Sequence, residues 1–330
     1  MDVESINKQV VVEESNHPPL VSVICTSYNH EAHIQEALDS LLIQDYPALE
    51  LLIIDNGSTD RSRQVIEKWL AIHGNKFPVK TFFHSDTLPY CLSFNLALFS
   101  SQGKYLIDLS GDDALLPMHV QQSVKALQEK PEAAACFSDV LIVKSNTSKT
   151  YYQRNTHGQL LQKVKDGDLY RDIVASNVLL SVSLVLDADK LKGIGGYDPD
   201  LAYEDFDIMV RLSREFPYVF SDHIGIKKRI LPNSFSSEQY RVRNSRMLPS
   251  TLAICNKIHA MNRTEEENQA LKVRILFELK HALASANFEV AKGFIELGTL
   301  VGIQGWRWSF FSFWSKKRWD FSAVYALLKT

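Results

Sequence analysis

The chain has 330 residues, 45% of them hydrophobic, and a formal net charge of -3 from 36 Lys and Arg against 39 Asp and Glu. That length and composition build one large α/β core, or a large domain with a small companion, and exclude a disordered or collagen-like chain. The charge balance gives no global positive field to recruit nucleic acid, and the four cysteines (Cys25, Cys91, Cys136, Cys255) lack the spacing of a zinc site or a disulfide framework.

Residues 1–18 form a polar, acidic leader without the basic start and apolar run of a signal peptide. No apolar run reaches the roughly 18–20 residues that span a bilayer. The expectation is a cytoplasmic protein, in a reducing compartment, or one peripheral at the inner face of the cytoplasmic membrane. Leu20–Cys25 is a short β-branched run that suits a strand buried on both faces. A helix follows on Ile34, Ala37, Leu38, Leu41 and Leu42, then a strand at Leu51–Ile54 and a helix carrying Val65, Ile66, Trp69 and Leu70. Next come a strand at Val79–Phe83, a helix at Leu92–Ser100, a strand at Tyr105–Leu109 and a helix at Met118–Leu127. Strands recur at Ala134–Val143 and Val182–Leu186, separated by a polar stretch, Lys144–Asp168, that is either a long hairpin or a mobile loop. Gly193–Pro199 reads as a turn, and Glu204-Asp205-Phe206-Asp207 opens a helix. From about Arg243 the pattern is helical throughout, so a boundary near residue 240 divides an α/β domain, 19–240, from a helical C-terminal region, 241–330.

Alternating strands and helices with short joints predict βαβ units and a mostly parallel sheet, and ligands bind beyond the carboxyl ends of such strands. Three polar clusters follow strands directly: Thr26–Asn29, Asp55–Asp60 and Ser110–Asp113. Topology alone places them on one sheet edge. Asp112 and Asp113 are adjacent carboxylates in a tight turn, an arrangement that favours a bound cation, or else simply caps the next helix. Glu204 and Asp205 stand at a helix start, where the dipole favours negative charge; one of them is also a candidate general base. Gly193-Ile194-Gly195-Gly196 lacks dinucleotide-fingerprint spacing, and neither a P-loop nor a GxSxG elbow occurs.

In their order, these motifs resemble a family of known enzymes. Val21–Asn29 with Glu50–Asp60 (ELLIIDNGSTD), Gly103–Asp113 with Pro117, and Gly195–Asp198 followed by Glu204–Asp207 and Arg211-Leu212 look like a family 2 glycosyltransferase with the GT-A fold, of the bacterial surface-polysaccharide type. The resemblance covers roughly residues 20–235 and implies roles. Thr26, Tyr28, Asn29, Asp55, Asn56, Ser110 and Gly111 would bind the donor nucleotide, a UDP-sugar above all. Asp112, helped by Asp113, would hold Mg²⁺ or Mn²⁺ on the diphosphate. Asp205 would be the base of an inverting transfer to a hydroxyl of a glycan or lipid-linked glycan, with Tyr203 and Glu204 on the acceptor side. Three positions depart from the family pattern: Asn56 where a second Asp is common, Ser110 for the first Asp of DxD, and Leu231 where relatives place a histidine. These departures motivate an alternative, a catalytically silent nucleotide-sugar binding module. A nucleotidyltransferase is a further alternative, although Thr26–His30 has no Lys, Arg or Gly to grip a triphosphate. The chemistry requires Asn29, Asp55, Asp112 and Asp205 to gather around one cleft.

The C-terminal end mixes Trp306, Trp308, Phe310, Phe311, Phe313 and Trp314 with Arg307, Lys316, Lys317 and Arg318. Such a segment either lies at a membrane interface or buries its rings against the protein core.

Overall fold

The computed structural model describes residues 17–145, 147–231 and 234–329; the polar leader, up to residue 16, lies outside them. Strands β1 (Val21–Ser27) and β2 (Leu49–Asn56) are buried at every position, as mostly aliphatic strands are when both sheet faces are covered. Between them α1 (Ile34–Leu42) lays Ile34, Ala37, Leu38 and Leu41 onto the sheet. The chain continues through α2 (Ser62–His73), β3 (Val79–His84), α3 (Tyr90–Ser100), β4 (Tyr105–Ser110), β5 (Ala114–Leu115) and α4 (His119–Glu129). There follow β6 (Ala135–Lys144), β7 (Thr147–Thr150), α5 (Tyr170–Ala175), β8 (Val185–Asp187), α6 (Ala188–Gly193), α7 (Asp205–Glu215) and β9 (Tyr218–Arg229). The described chain closes on helices α8 (Leu248–Met261), α9 (Glu265–Ala284), α10 (Phe288–Leu300), α11 (Trp306–Lys317) and α12 (Ser322–Lys329).

Among the described residues the strands form one nine-stranded sheet in the order β3-β2-β1-β4-β8-β6-β9-β5, with β7 paired to β6. Strands β3, β2, β1 and β4 run parallel; β8 enters antiparallel between β4 and β6, and β6 pairs with β9 in parallel through a bulge. Strand alternation sends Val23, Leu51 and Ile107 to a core under α1, α2 and α4. It sends Ile24, Leu52 and Leu106 to a second core that continues without a break into α3, α5, α7 and the C-terminal helices, through Leu248, Leu271 and Phe294.

Several elements escape the sequence pattern, among them β5, α5, α6 and β9. Strand β9 carries Asp222, His223, Lys227, Lys228 and Arg229, which obscure its alternation, because one side of it is only half-buried. Helix α6 fills the stretch between β8 and the turn that begins at Gly193, a stretch given no element in the sequence; Asp187 caps it by accepting from the Lys190 N–H at 2.9 Å. The polar stretch after Lys144 starts as a hairpin, with β7 pairing antiparallel to β6. Helix α11 divides the aromatic residues of the C-terminal end between two sides. Trp308, Phe311 and Trp314 pack against the core, whereas Trp306, Phe310 and Phe313 are exposed. Among the described residues no helix is long and apolar enough to cross a membrane.

Candidate active site

The parallel registers bring the three strand-end clusters together. Ser27 stands opposite Asp55, and Thr26 opposite Ser110. Asn29 adopts a left-handed φ of 56°, which Asn tolerates better than most residues, and there its side chain spans two clusters. Its Oδ1 accepts from the Thr59 N–H at 2.8 Å, and its own N–H donates to Ser58 Oγ at 3.0 Å. The Ser58 hydroxyl in turn donates to the buried Asp55 carboxylate at 2.5 Å. Gly111 donates its N–H to the Thr26 carbonyl at 2.8 Å. A Cβ there would stand 2.8 Å from His30 Nδ1 and 3.1 Å from that carbonyl, so a side chain would press on both. Among the described residues the Thr26 and Ser27 hydroxyls and His30 Nδ1 are buried without a hydrogen-bond partner, and Tyr28 is exposed. Asn56 is turned elsewhere: its carboxamide pairs with the Leu88 backbone, donating to the carbonyl at 2.9 Å and accepting from the N–H at 3.1 Å.

A cavity beyond the end of β4 joins the helix-start carboxylates to this edge. Tyr90, Asp108, Ser110, Tyr197, Glu204 and Asp205 line it, over an apolar wall of Leu184, Leu186 and Ile208. Asp112 does not line the cavity itself; it is tied to the lining residue Ser110, whose hydroxyl donates to Asp112 Oδ1 at 2.5 Å. Asp108 accepts from the Tyr90 hydroxyl at 2.8 Å and from the Tyr197 hydroxyl at 2.8 Å. Burial pushes the Asp108 carboxyl up to about 6, and the two phenols hold it down against that. Burial also raises Glu204 well above the usual carboxylate range, with Asp205 and Asp108 adding repulsion. Burial raises Asp205 too, opposed by the Phe206 N–H, which donates to its Oδ1 at 2.6 Å, and by Lys228. Tyr203 is buried beneath this pair, its hydroxyl on Thr251 at 2.7 Å.

Asp113 does not face the cleft as an open cation ligand. It is buried, its Oδ1 accepts from the Arg229 N–H at 2.8 Å, and its Oδ2 lies 4.0 Å from Lys228 Nζ. Its side chain locks the turn to β9. The expected two-carboxylate cation site thus narrows to Asp112, which remains partly exposed.

Asp108, Tyr90, Tyr197 and Lys228 were missed by motif reading. The signal for Asp108 was present: two residues before Ser110 on one strand, it shares that residue's sheet face. Nothing in the sequence tied it to Tyr90 and Tyr197, which are 18 and 89 residues away.

The model of glycosyl transferase family 2 matches residues 22–187, just over half of the 330. This chain belongs to glycosyl transferase family 2. An uncharacterized glycosyltransferase of Rickettsia typhi is 23% identical to this family 2 chain over 223 residues, 66% of each. One from Haemophilus influenzae is 26% identical over 166 residues, 50% of this chain and 48% of its own. The chain thus spans about half to just under two-thirds of the length of these relatives. S. aureus TarS 1-349 in complex with UDP-GlcNAc superposes with a TM-score of 0.69 at 16% identity, covering 93% of this chain and 92% of that one. The mannosyltransferase PcManGT from Pyrobaculum calidifontis, in complex with GDP-Man and Mn²⁺, gives 0.57 at 14% identity, covering 92% and 85%. The family 2 chain therefore has the GT-A fold: an α/β sheet flanked by helices, with helices added at the C-terminal end.

A family 2 fold raises the question of a divalent ion. Among the described residues no group of three or more His, Cys, Asp or Glu could hold one unaided. The oxygen donor set at Asp112 suits Mg²⁺ or Mn²⁺ all the same, because such ions take one or two carboxylates and complete their shell with water and phosphate oxygens. The orphaned His30 Nδ1, buried against Gly111 beside Asp112, is a polar atom left over for a ligand. The residues fit an ion that arrives with its diphosphate.

Proposed function

We propose that this chain is an inverting glycosyltransferase that moves a sugar from a nucleotide diphosphate sugar to a hydroxyl of a glycan or lipid-linked glycan. The observation that carries this is the shared cavity: Asp205 lines the same pocket as Ser110, whose hydroxyl holds Asp112. In our reading residues 19–240 carry the chemistry, and the helices of 241–330 support it. Thr26, Asp55 and the Asn29 bridge bind the nucleoside end, Tyr28 offers an exposed ring beside it, and Asn56 acts through Leu88 by shaping the same edge. The ligands named for the structural neighbours, UDP-GlcNAc and GDP-Man, support a nucleotide sugar as donor, and the sequence pattern favours a UDP-sugar.

The acceptor oxygen attacks the anomeric carbon from the face opposite the diphosphate. A carbon–oxygen bond forms as the bond to the diphosphate breaks, and the hydroxyl proton passes to Asp205. Burial raises the proton affinity of Asp205, which suits a base that must take a proton near neutral pH. Asp112 would hold the divalent ion, whose chemistry is to neutralise charge on the departing diphosphate. Glu204 and Tyr203 lie on the acceptor side of the base.

The test is mass spectrometry of products from a panel of nucleotide sugars and glycan acceptors. Asp205→Asn is expected to lower turnover by about 10²–10⁴-fold while the donor still raises the melting temperature. Near-normal turnover in that variant would overturn the base assignment, and full activity in EDTA would remove the metal. One reading competes, on the strength of Ser110 in the DxD position and Asn56 turned to Leu88: a silent nucleotide-sugar binding module. Donor stabilisation without any transfer or hydrolysis would establish it.

A further inference from the structure

Exposed aromatic side chains gather at the C-terminal end of the chain. Helix α11 shows why. Trp306, Phe310 and Phe313 recur at helical spacing with Lys317 next in line, so they share one side of the helix. Trp308, Phe311 and Trp314 occupy the other side and pack against the core. The packed side is satisfied; the first is not, with Trp306 76% exposed and Phe310 and Phe313 each 45% exposed. Trp319 extends the patch by meeting Phe313 edge-on at 5.2 Å, and Phe321 meets Trp314 at 5.5 Å. A continuous aromatic surface of this kind is costly in water and marks a contact site.

Charge decides what covers it. Residues 301–319 hold Arg307, Lys316, Lys317 and Arg318 and no acidic residue, in a chain whose net charge is -3. Arg318 pairs with Glu289 at 2.8 Å, whereas Arg307, Lys316 and Lys317 have no carboxylate partner among the described residues. A second copy of this chain, docked about a two-fold axis, would set these cations against their own images, which repel. Rings beside unpaired cations match instead the boundary between acyl chains and anionic headgroups.

We propose that the α11–α12 face docks flat on a bilayer bearing anionic lipid, with Trp306, Phe310 and Phe313 at the acyl boundary and Arg307, Lys316 and Lys317 on the headgroups. This stands independently of the transfer reading, since it concerns a surface and its readout is binding. The full chain should co-sediment with phosphatidylcholine vesicles that contain phosphatidylglycerol, and not with phosphatidylcholine alone. Its tryptophan emission should shift to the blue on binding, and salt should release it. The Trp306→Ser/Phe310→Ser/Phe313→Ser and Lys316→Glu/Lys317→Glu variants should each bind about tenfold less or weaker still, with unchanged melting temperatures. Wild-type chain left in the supernatant with anionic vesicles would overturn the proposal. So would a dimer in sedimentation velocity that the triple-serine variant dissolves, which would assign the face to a second copy.

Discussion

Glu204, Asp108 and Asp205 crowd one cavity wall, and each has its carboxyl raised chiefly by burial. For Glu204 the folded state holds a proton that the unfolded chain releases in the ordinary carboxylate range. Its contribution to stability is complete below that range and is lost as pH rises. Replacing it with Gln removes the loss. Glu204→Gln should therefore melt higher than the wild type at pH 8, by about 2–4 °C for each kcal/mol gained, while transfer falls. A lower melting temperature would show that Glu204 is held ionised by a partner. These residues also mark how far motif reading reaches. Glu204 and Asp205 stood out because two acids open a helix. Asp108 did not, because an acid inside an apolar run reads as one more strand position until Tyr90 and Tyr197 are folded onto it.

Helix α7 is fastened to the glycine turn before it by side chains that the motif spacing only hinted at. Arg211 donates through Nε to the buried Asp207 at 2.7 Å, and through its terminal nitrogens to the carbonyls of Ile194 and Gly196 at 2.8 and 2.6 Å. Lys257 of α8 donates to Asp207 at 2.7 Å and to Asp198 at 2.5 Å. The Asn95 carboxamide pairs with the backbone of Tyr197, whose ring stacks on Phe94 at 4.1 Å. Four elements thus fix the position of Glu204 and Asp205. Arg211→Met strips Asp207 of one of its two cations and should cost about 3 kcal/mol in urea unfolding. It should also lower turnover more than donor binding; a variant as stable and active as the wild type would mean that Lys257 suffices. The parallel strands β1, β2 and β4 were legible because they are mostly apolar and bounded by polar turn clusters. Strand β9 was not, because its polar and charged residues, most of them half-buried, break its period.

At the scale of the whole molecule, acid should loosen the fold where α4 packs on β9. His119 and His223 lie within the packing of α4 against β9, with Nδ1 of one 3.2 Å from Nε2 of the other. Burial lowers them to about 3 and about 4. The unfolded chain takes up protons near 6.5, so their contribution is present above that pH and is lost as pH falls toward 4. The His119→Gln/His223→Gln chain should lose less melting temperature than the wild type between pH 6.5 and 4, and an equal loss would place the acid-sensitive groups elsewhere. The unbroken core has a different consequence. Helix α9 inserts Arg274 under α7, its guanidinium 4.6 Å over the Phe206 ring and hydrogen-bonded to the carbonyls of Val174 and Ile173. A C-terminal segment embedded in this way cannot be shuffled by recombination as a ready-made module. Any transplanted replacement would have to reproduce the contacts beneath Phe206.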